Sequence, residues 1–245
     1  GGTPISDGPF RNGSMYLTYT NEGMPIGAFW GYKTDGLIQT QEQLNAVKRA
    51  DFQPNAELGD VLFVDTNGDG KLDSSDRCMI GNPIPDIIYG INMGMAWKGF
   101  DLNLQFGGTI GNQIFNAMRY YTYFPNDITN KDRALMNYWT PNNTNTDIPR
   151  LTATDVNDND RFSDMYVENG TYFRLRNAQL GYTLPASLTQ RIKLQKVRFY
   201  VSGQNLFTIS SYSGMDPEVG QSSSLSRGID YGIYPQNISF TGGIN

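Results

Sequence analysis

The chain has 245 residues, of which 13% are aromatic and 18% charged, and its formal net charge is -5 at pH 7. It contains no His, which excludes Ser-His-Asp and Cys-His catalysis and imidazole metal sites within it. Its acidity and the absence of a Lys/Arg cluster disfavour a nucleic-acid partner. Mean hydropathy is -0.46, and no run of about eighteen apolar residues could form a transmembrane helix. Strands that cross a membrane stay possible, because their apolar residues alternate with polar ones.

The first part of the chain is rich in Gly and aromatic residues. We predict a short strand over Ser14–Thr20, then a Gly-punctuated aromatic segment over Glu22–Gln39. Thr40–Ala50 has the composition of a short helix, and Thr40 is a suitable N-cap. The sequence GDVLFV that follows, at 59–64, predicts a strand.

An acidic loop follows that strand. Its spacing matches an EF-hand-type calcium loop, with oxygen-bearing side chains at positions 1, 3, 5, 9 and 12 and a carbonyl at position 7. The predicted Ca²⁺ ligands are Asp65, Asn67, Asp69, Lys71 (through its carbonyl), Asp73 and Asp76. Asp76 stands where a bidentate Glu usually sits, which predicts weak binding. The alternative is a calcium-free turn held by side-chain hydrogen bonds to the backbone. No organic cofactor is indicated.

A β-hairpin is predicted over Ile87–Gly108. Bulky apolar residues alternate with small or polar ones on both sides of Lys98-Gly99, which predicts two antiparallel strands joined by a two-residue turn. The polar positions carry Gly, Asn and Gln instead of the Lys, Glu and Thr of a soluble sandwich. That pattern fits strands with one face toward lipid and one toward a lumen, although this hairpin alone fits an antiparallel soluble sheet equally well.

Three further strands are predicted beyond the hairpin, over Tyr172–Leu184, Val197–Phe207 and Asn237–Ile244. The first changes parity part-way, which predicts a β-bulge near Arg176-Asn177. Between the hairpin and these strands lies a long polar segment, 109–170, with a possible short helix at Asp132–Trp139. Long and short connections alternate, as they do in transmembrane barrels. We therefore predict an all-β chain that is part of a large antiparallel transmembrane β-barrel with long extracellular loops.

The sequence resembles the C-terminal part of SusC/RagA-family TonB-dependent outer-membrane transporters of Bacteroidetes type. The resemblance rests on segments that occur in the family's order, among them EGMPIGAFWGYKTDG and YFRLRNAQLGYTLP. The matching segments are Glu22–Gly36, Gly59–Gly70, Ile80–Asp86, Gly99–Leu102, Gly111–Asn112, Tyr138–Pro141, Pro149–Leu151, Tyr172–Asn177, Leu180–Pro185, Gly203–Phe207, Tyr212–Glu218 and Tyr234–Pro235.

The resemblance implies an outer-membrane importer for glycans or oligopeptides. It implies a SusD-like surface lipoprotein as partner, and contact with TonB through an N-terminal region that is absent from this sequence. Residues 1–85 would form an extracellular loop region with the EF-hand-like turn, and residues 86–245 the last five barrel strands with two further extracellular loops.

Transport requires no covalent catalysis, so we do not expect an enzyme. Four aromatic residues are candidate substrate contacts, with packing inside the loops as the alternative: Trp30, Tyr32, Tyr121 and Trp139. A second hypothesis is a soluble calcium-dependent carbohydrate-binding or adhesion module. A third, a glycoside hydrolase using carboxylates such as Asp216, Glu218 or Glu168, is disfavoured because nothing in the sequence pairs them.

Overall fold

The computed structural model describes residues 4–6, 10–12, 15–123, 130–220 and 224–245, apart from the side chains of Ile192 and Ser224. Ser14, at the start of a predicted strand, lies outside these ranges. Most elements are strands: β1 (Ile5–Ser6), β2 (Arg11–Asn12), β3 (Met15–Tyr16), β4 (Thr18–Thr20), β5 (Ala28–Gly31), β6 (Thr34–Leu37), β7 (Val61–Phe63), β8 (Cys78–Gly81), β9 (Ile87–Trp97), β10 (Phe100–Ile110), β11 (Gln113–Asn116), β12 (Val167–Asn169), β13 (Tyr172–Thr183), β14 (Arg198–Ser210), β15 (Ile229–Asp230) and β16 (Ser239–Ile244).

The helices are short. The α-helices are α1 (Gln41–Arg49), α2 (Ala117–Tyr123) and α3 (Ala186–Thr189). Single 3₁₀ turns lie at Ser74–Asp76, Arg133–Asn137, Asp164–Tyr166, Gln190–Ile192 and Ser224–Ser226. Among the described residues, no helix has the length and apolar character needed to cross a membrane.

The chain divides into two compact units. The first unit combines residues 1–84, 113–168 and 219–232, and the second combines residues 85–112, 169–218 and 233–245. Most of the long segment that follows β10, and residues 219–232 of the segment that follows β14, therefore belong to the same unit as the first 84 residues.

The first unit is built from short strands around clusters of buried side chains. Its larger sheet has the order β1-β4-β5-β8, and a second sheet has the order β12-β11-β15. One core is mostly aromatic and includes Phe10, Phe29, Phe115, Phe162 and Tyr166. The rings meet at tilted or edge-to-face angles, which are the favourable geometries for aromatic pairs. This explains how a Gly-rich and polar stretch of sequence still forms a packed core.

Helix α1 begins as the sequence predicts. The Thr40 hydroxyl accepts from the Gln43 N–H at 3.2 Å, and the Gln43 side chain accepts from the Thr40 N–H at 3.0 Å. This reciprocal capping box satisfies two N–H groups that the first turn would otherwise leave unpaired. The predicted helix at Asp132–Trp139 is a 3₁₀ turn, Arg133–Asn137, capped by the Asp132 carboxylate.

The second unit is one antiparallel sheet with the order β16-β14-β13-β10-β9. The five strands lie where the sequence predicts strands, and β9 and β10 form the predicted hairpin. The Lys98-Gly99 turn has positive φ at both residues, 47° and 88°. Two consecutive left-handed residues give the type I′ geometry that matches the twist of a tight hairpin, and Gly adopts this conformation without strain.

The predicted bulge is present in β13. Gln105 of β10 pairs with Asn177, and Phe106 pairs with Leu175, so Arg176 is the extra residue. Because of the extra residue, the alternation of side chains changes phase at the bulge. The apolar side chains before and after it therefore lie on the same face of the sheet.

Candidate functional site

One face of the five-stranded sheet is apolar and exposed. Directly paired residues share a face, and the register places these side chains together: Trp97, Phe100, Tyr182, Phe199 and Ile244 in one row, and Met95, Leu102, Leu180 and Val201 in the next. Val201 is 61% exposed and Phe240, on the same face, 78%. A continuous apolar surface of this extent is not stable in water and requires a lipid or protein covering.

The opposite face is polar and carries amide side chains. One row across the strands contains Asn92, Gln105, Asn177, Gln204 and Ser239, and the next contains Gly94, Asn103, Gln179, Ser202 and Thr241. These groups offer both donors and acceptors without net charge. The face can therefore remain in contact with water and with polar solutes.

A cross-strand ion pair lies on this polar face. The Arg198 guanidinium of β14 donates to the Asp101 carboxylate of β10, from Nε at 2.9 Å and from Nη2 at 2.5 Å. The intervening strand β13 has Gly181 at the crossing point, and a Cβ there would overlap the guanidinium. The absence of a side chain at Gly181 thus allows a pair to form between strands that are not neighbours.

A buried charge network attaches the segment after β14 to the polar face of β13. Arg174, only 2% exposed, donates to Asp216 Oδ1 at 2.6 Å and to Glu218 Oε2 at 2.9 Å. Asp216 also accepts the backbone N–H groups of Gln236 and Glu218. Burial raises the pKa of Asp216, but these backbone N–H groups and Arg174 lower it more, so the net pKa is below the usual value.

The acidic loop forms a hydrogen-bonded turn. The Asp65 carboxylate accepts from the Gly68 N–H at 2.6 Å and from the Gly70 N–H at 2.8 Å, and the Gly70 bond is the largest cause of the lowered pKa of Asp65. Asn67 accepts from the Asp69 N–H, and Asp69 accepts from the Lys71 N–H. A calcium-free turn, the alternative to the EF-hand-type loop, is held by side-chain hydrogen bonds to the backbone of this kind.

The second half of the loop is closed by Asp76, which is fully buried. Its two carboxylate oxygens accept from the Thr66 N–H and the Asp73 N–H, each at 3.0 Å. In the described part of the chain, no group of three or more His, Cys, Asp or Glu side chains is arranged to hold a metal ion. Calcium binding stays a prediction that rests on the loop's spacing.

Two of the predicted substrate contacts are core residues. Tyr32 is 4% exposed and Trp139 6%, and both belong to a hydrophobic cluster with Phe52, Val61 and Phe63. The Trp139 indole also donates to the Gln39 side chain at 2.8 Å. Neither ring offers a face to a ligand here. Both positions therefore agree with the alternative that these aromatic residues pack inside the loops.

The other two predicted contacts are more accessible. Trp30 is half-buried and stacks on Tyr19, with ring centroids 4.6 Å apart and planes 27° apart. Tyr121 is 47% exposed and contacts Phe10 and Tyr120 edge-on. The four candidates therefore do not converge on one aromatic site.

The chain has clear relatives among receptors of known sequence. It is 39% identical over 234 residues to the TonB-dependent receptor P3 of Formosa agariphila, which covers 91% of this chain and 22% of that receptor. It is 29% identical over 195 residues to the TonB-dependent receptor SusC of Bacteroides thetaiotaomicron, which covers 79% of this chain and 18% of SusC. No family model matches the chain.

A solved structure agrees with these relatives. The RagAB peptide importer in its closed-closed state matches with a TM-score of 0.69 and 26% identity, over 93% of this chain and 24% of that chain. The chain is a homologue of TonB-dependent receptors of the SusC and RagA type. It spans less than a quarter of the length of these relatives.

TonB-dependent receptors such as SusC and RagA are outer-membrane proteins. The five strands of this receptor segment are part of the wall of a large transmembrane barrel, and the described residues do not close it. The family explains the two faces of the sheet. In an outer-membrane barrel the apolar face of the strands meets lipid and the polar face lines the lumen, and the two faces of this sheet have that division of side chains.

The Arg174 network of this receptor segment is not predicted from the sequence. From the sequence, Asp216 and Glu218 are considered only as carboxylates of a disfavoured glycoside hydrolase. Asp216 and Glu218 are 42 and 44 residues from Arg174, so no local sequence pattern indicates that these side chains pair. One signal is present in the sequence, because Arg174 stands at a polar position of β13, and an Arg that is buried there requires an acidic partner.

Proposed function

We propose that this chain is part of a TonB-dependent importer that carries glycans or oligopeptides across the outer membrane with a SusD-like lipoprotein at the cell surface. The energy would come from TonB, through a part of the receptor outside this chain. The membership among SusC-type and RagA-type receptors supports the proposal, and RagAB is itself described as a peptide importer. Relatives described as receptors give no reason to expect an enzyme.

The two-faced sheet is the observation that carries the proposal. A wall with lipid on one side needs an aqueous lumen on the other, and this lumen-facing side presents amides and paired charges. Such groups can hydrogen-bond to sugar hydroxyls or peptide amides without binding either tightly. Weak, repeated contacts of this kind suit a solute that must pass through the receptor.

The connections between strands support the proposed orientation. Lys98-Gly99 and residues 184–197 join strands at one end of the sheet, whereas residues 111–171 and 211–238 join them at the other. Outer-membrane barrels have short turns on the periplasmic side and long loops outside. We therefore place the long connections outside, together with residues 1–85, and residues 86–245 contain the five strands.

The orientation of the two faces can be tested in the full-length receptor reconstituted in lipid. Single spin labels at Met93 and Asn103 would probe opposite faces on neighbouring strands. We expect oxygen to relax the label at Met93, and a water-soluble relaxant to relax the label at Asn103. Shielding of Met93 from both agents would place it in a packed soluble core. That result would favour the soluble calcium-dependent carbohydrate-binding module.

Import itself requires a cell-based measurement. Cells with and without the receptor gene would be given fluorescent oligosaccharides and, separately, fluorescent oligopeptides. We expect receptor-dependent accumulation of one class, and its loss when a protonophore removes the energy that TonB transmits. Equal accumulation in the two strains for both classes would refute the proposed import.

A further inference from the structure

A small polar cavity lies within the first unit. It has a volume of about 200 Å³ and is lined by Phe52–Asn55, Leu72, Val156–Asp158 and Arg161. We call it the Arg161 cavity. At about 30 Å³ for each water molecule in the liquid, its volume equals that of six or seven waters. It is therefore large enough for one ring-sized unit, and smaller than a site for a drug-sized ligand.

The floor of the Arg161 cavity is held by buried amides. Gln53 is 2% exposed and donates to the Val61 carbonyl at 2.9 Å and to Asn157 Oδ1 at 3.0 Å. Its own carbonyl accepts the Phe63 N–H at 3.0 Å. Asn157 donates in turn to Asn159 Oδ1 at 2.8 Å. Together with the bond from Asn157 Nδ2 to the Val61 carbonyl, these bonds use all four N–H groups of the two amides, so N–H donors to a ligand must come from the walls.

Arg161 is the fixed donor of the wall. Its guanidinium lies over the rings of Tyr32 and Phe63, at 5.6 Å and 5.2 Å from their centroids. It donates to the Asn157 carbonyl from Nη1 at 2.7 Å and to Asp158 Oδ2 from Nη2 at 3.0 Å. A guanidinium has five N–H groups, and these two bonds engage two of them. Because its stacking and hydrogen bonds already orient it, little entropy is lost when a ligand binds.

The backbone on both sides of the Arg161 cavity adopts left-handed geometry. Asp51, just after α1, has φ 57°, and Asp158 has φ 50°. Asp is one of the few residues that adopt this region at low cost. The first turn directs the chain from the end of α1 to Phe52 and Gln53. The second places the Asp158 carboxylate beside Arg161, where Oδ2 pairs with the guanidinium.

The walls combine three kinds of contact. Arg161 supplies N–H donors, Asp158 supplies an acceptor in Oδ1, and the exposed Asn55 amide supplies one of each. Phe52 and Leu72 add apolar surface. The Arg161–Asp158 pair leaves the cavity close to neutral, which disfavours a free anion or cation as ligand. A ring with hydroxyl groups on its edge and C–H groups on its face satisfies all three kinds of contact.

We infer that the Arg161 cavity binds one neutral monosaccharide unit, either free or at the end of a glycan. Hydroxyl groups of the sugar donate to Asp158 and accept from Arg161, and Asn55 does both. The apolar face of the ring packs on Phe52 and Leu72. This inference goes beyond the proposed import, because a receptor can bind a sugar at such a site whether or not it carries that sugar across the membrane.

The test uses the full-length receptor in detergent. Saturation-transfer NMR and titration calorimetry would be run with D-glucose, D-galactose, D-mannose and L-fucose, and with L-leucine and D-galacturonate as charged comparisons. The variants are Asn55→Ala and Asp158→Asn. Asn tolerates the left-handed backbone of Asp158, and the Asn55 side chain has no hydrogen bond to another described residue. Asn45→Ala, on the exposed face of α1, is the matched control.

We expect at least one neutral sugar to bind, with its affinity reduced by roughly five- to tenfold in Asn55→Ala and Asp158→Asn, the factor for one lost hydrogen bond. Asn45→Ala should bind like the wild type, and all variants should keep the wild-type melting temperature. Absence of binding by all four sugars overturns the inference, as does preferential binding of leucine or galacturonate. Sugar binding unaffected by both variants also overturns it. The uptake assay is read separately, so import can stand when this inference fails.

Discussion

Replacing Arg174 by Met would remove the centre of the charge network on β13. Arg174 makes three side-chain bonds, to Asp216, Glu218 and Thr208 Oγ1, the last at 2.8 Å. Removing one partner of a buried ion pair costs about 3–5 kcal/mol. We expect the lower end, about 3 kcal/mol, because two backbone N–H groups still stabilise the Asp216 carboxylate. Arg176→Met is the matched control, since its pair with Glu218 is partly exposed and contributes at most about 1 kcal/mol.

Hydrogen–deuterium exchange of residues 211–220 in the full-length receptor would measure the local effect. A difference of about 2 kcal/mol between Arg174→Met and Arg176→Met corresponds to roughly thirtyfold faster exchange in the former. Adding Asp216→Asn and Glu218→Gln to Arg174→Met should recover part of the protection, because no uncompensated charge then remains buried. Equal exchange in the two single variants would refute the reasoning.

The same network predicts a pH dependence. The folded-state pKa of Asp216 is depressed, so its contribution to stability is fully present above the unfolded pKa of about 3.9 and is lost as pH falls through the lower folded value. Protection of residues 211–220 should therefore be constant between neutral pH and about pH 5, and fall below about pH 4. A loss of protection already at pH 6 would show that a group other than Asp216 causes the pH dependence.

Three further outcomes are expected in the full-length receptor. Gly181→Ala should lower stability by about 1–3 kcal/mol, because its Cβ overlaps the guanidinium that crosses the strand, whereas Gly90→Ala, whose Cβ would make only ordinary contacts, should stay within about 0.5 kcal/mol. Trp139→Ala should cost about 3–5 kcal/mol in thermal unfolding, and Met136→Ala, 79% exposed, almost nothing. Calcium titration should show a Kd of roughly 0.1–1 mM that Asp65→Asn weakens at least tenfold; no heat at millimolar Ca²⁺ would leave the loop as a hydrogen-bonded turn.

The sheet was predictable because its information is local. Alternation along Ile87–Trp97 and Phe100–Ile110 fixes which side chains share a face, and Lys98-Gly99 fixes the register of the hairpin. The bulge at Arg176 was predictable for the same reason, since one extra residue reverses the parity of every position beyond it. The face on which a side chain lies can be predicted from the residues next to it along the strand.

The first unit was much less predictable because its contacts are distant in sequence. Gln39 and Trp139 are 100 residues apart, and Arg150 and Asp60 are 90 apart. An aromatic residue in a Gly-rich loop has the same local pattern whether its ring packs in a core or faces a ligand. Trp139 was therefore a reasonable candidate from sequence, and only its surroundings show that it is a packing residue.

The acidic loop shows why spacing alone does not identify a metal site. Short acidic and amide side chains two or three residues before a backbone N–H can accept its hydrogen bond, and Asp65, Asn67 and Asp69 each do so. The spacing that presents oxygens to Ca²⁺ is thus also the spacing that builds a turn. The shape of this turn depends on bonds to its own backbone, so we expect the loop to keep its conformation without Ca²⁺. A bound cation would stabilise the loop only if its binding free energy exceeds the free energy lost when these side chains leave their backbone hydrogen bonds to become ligands.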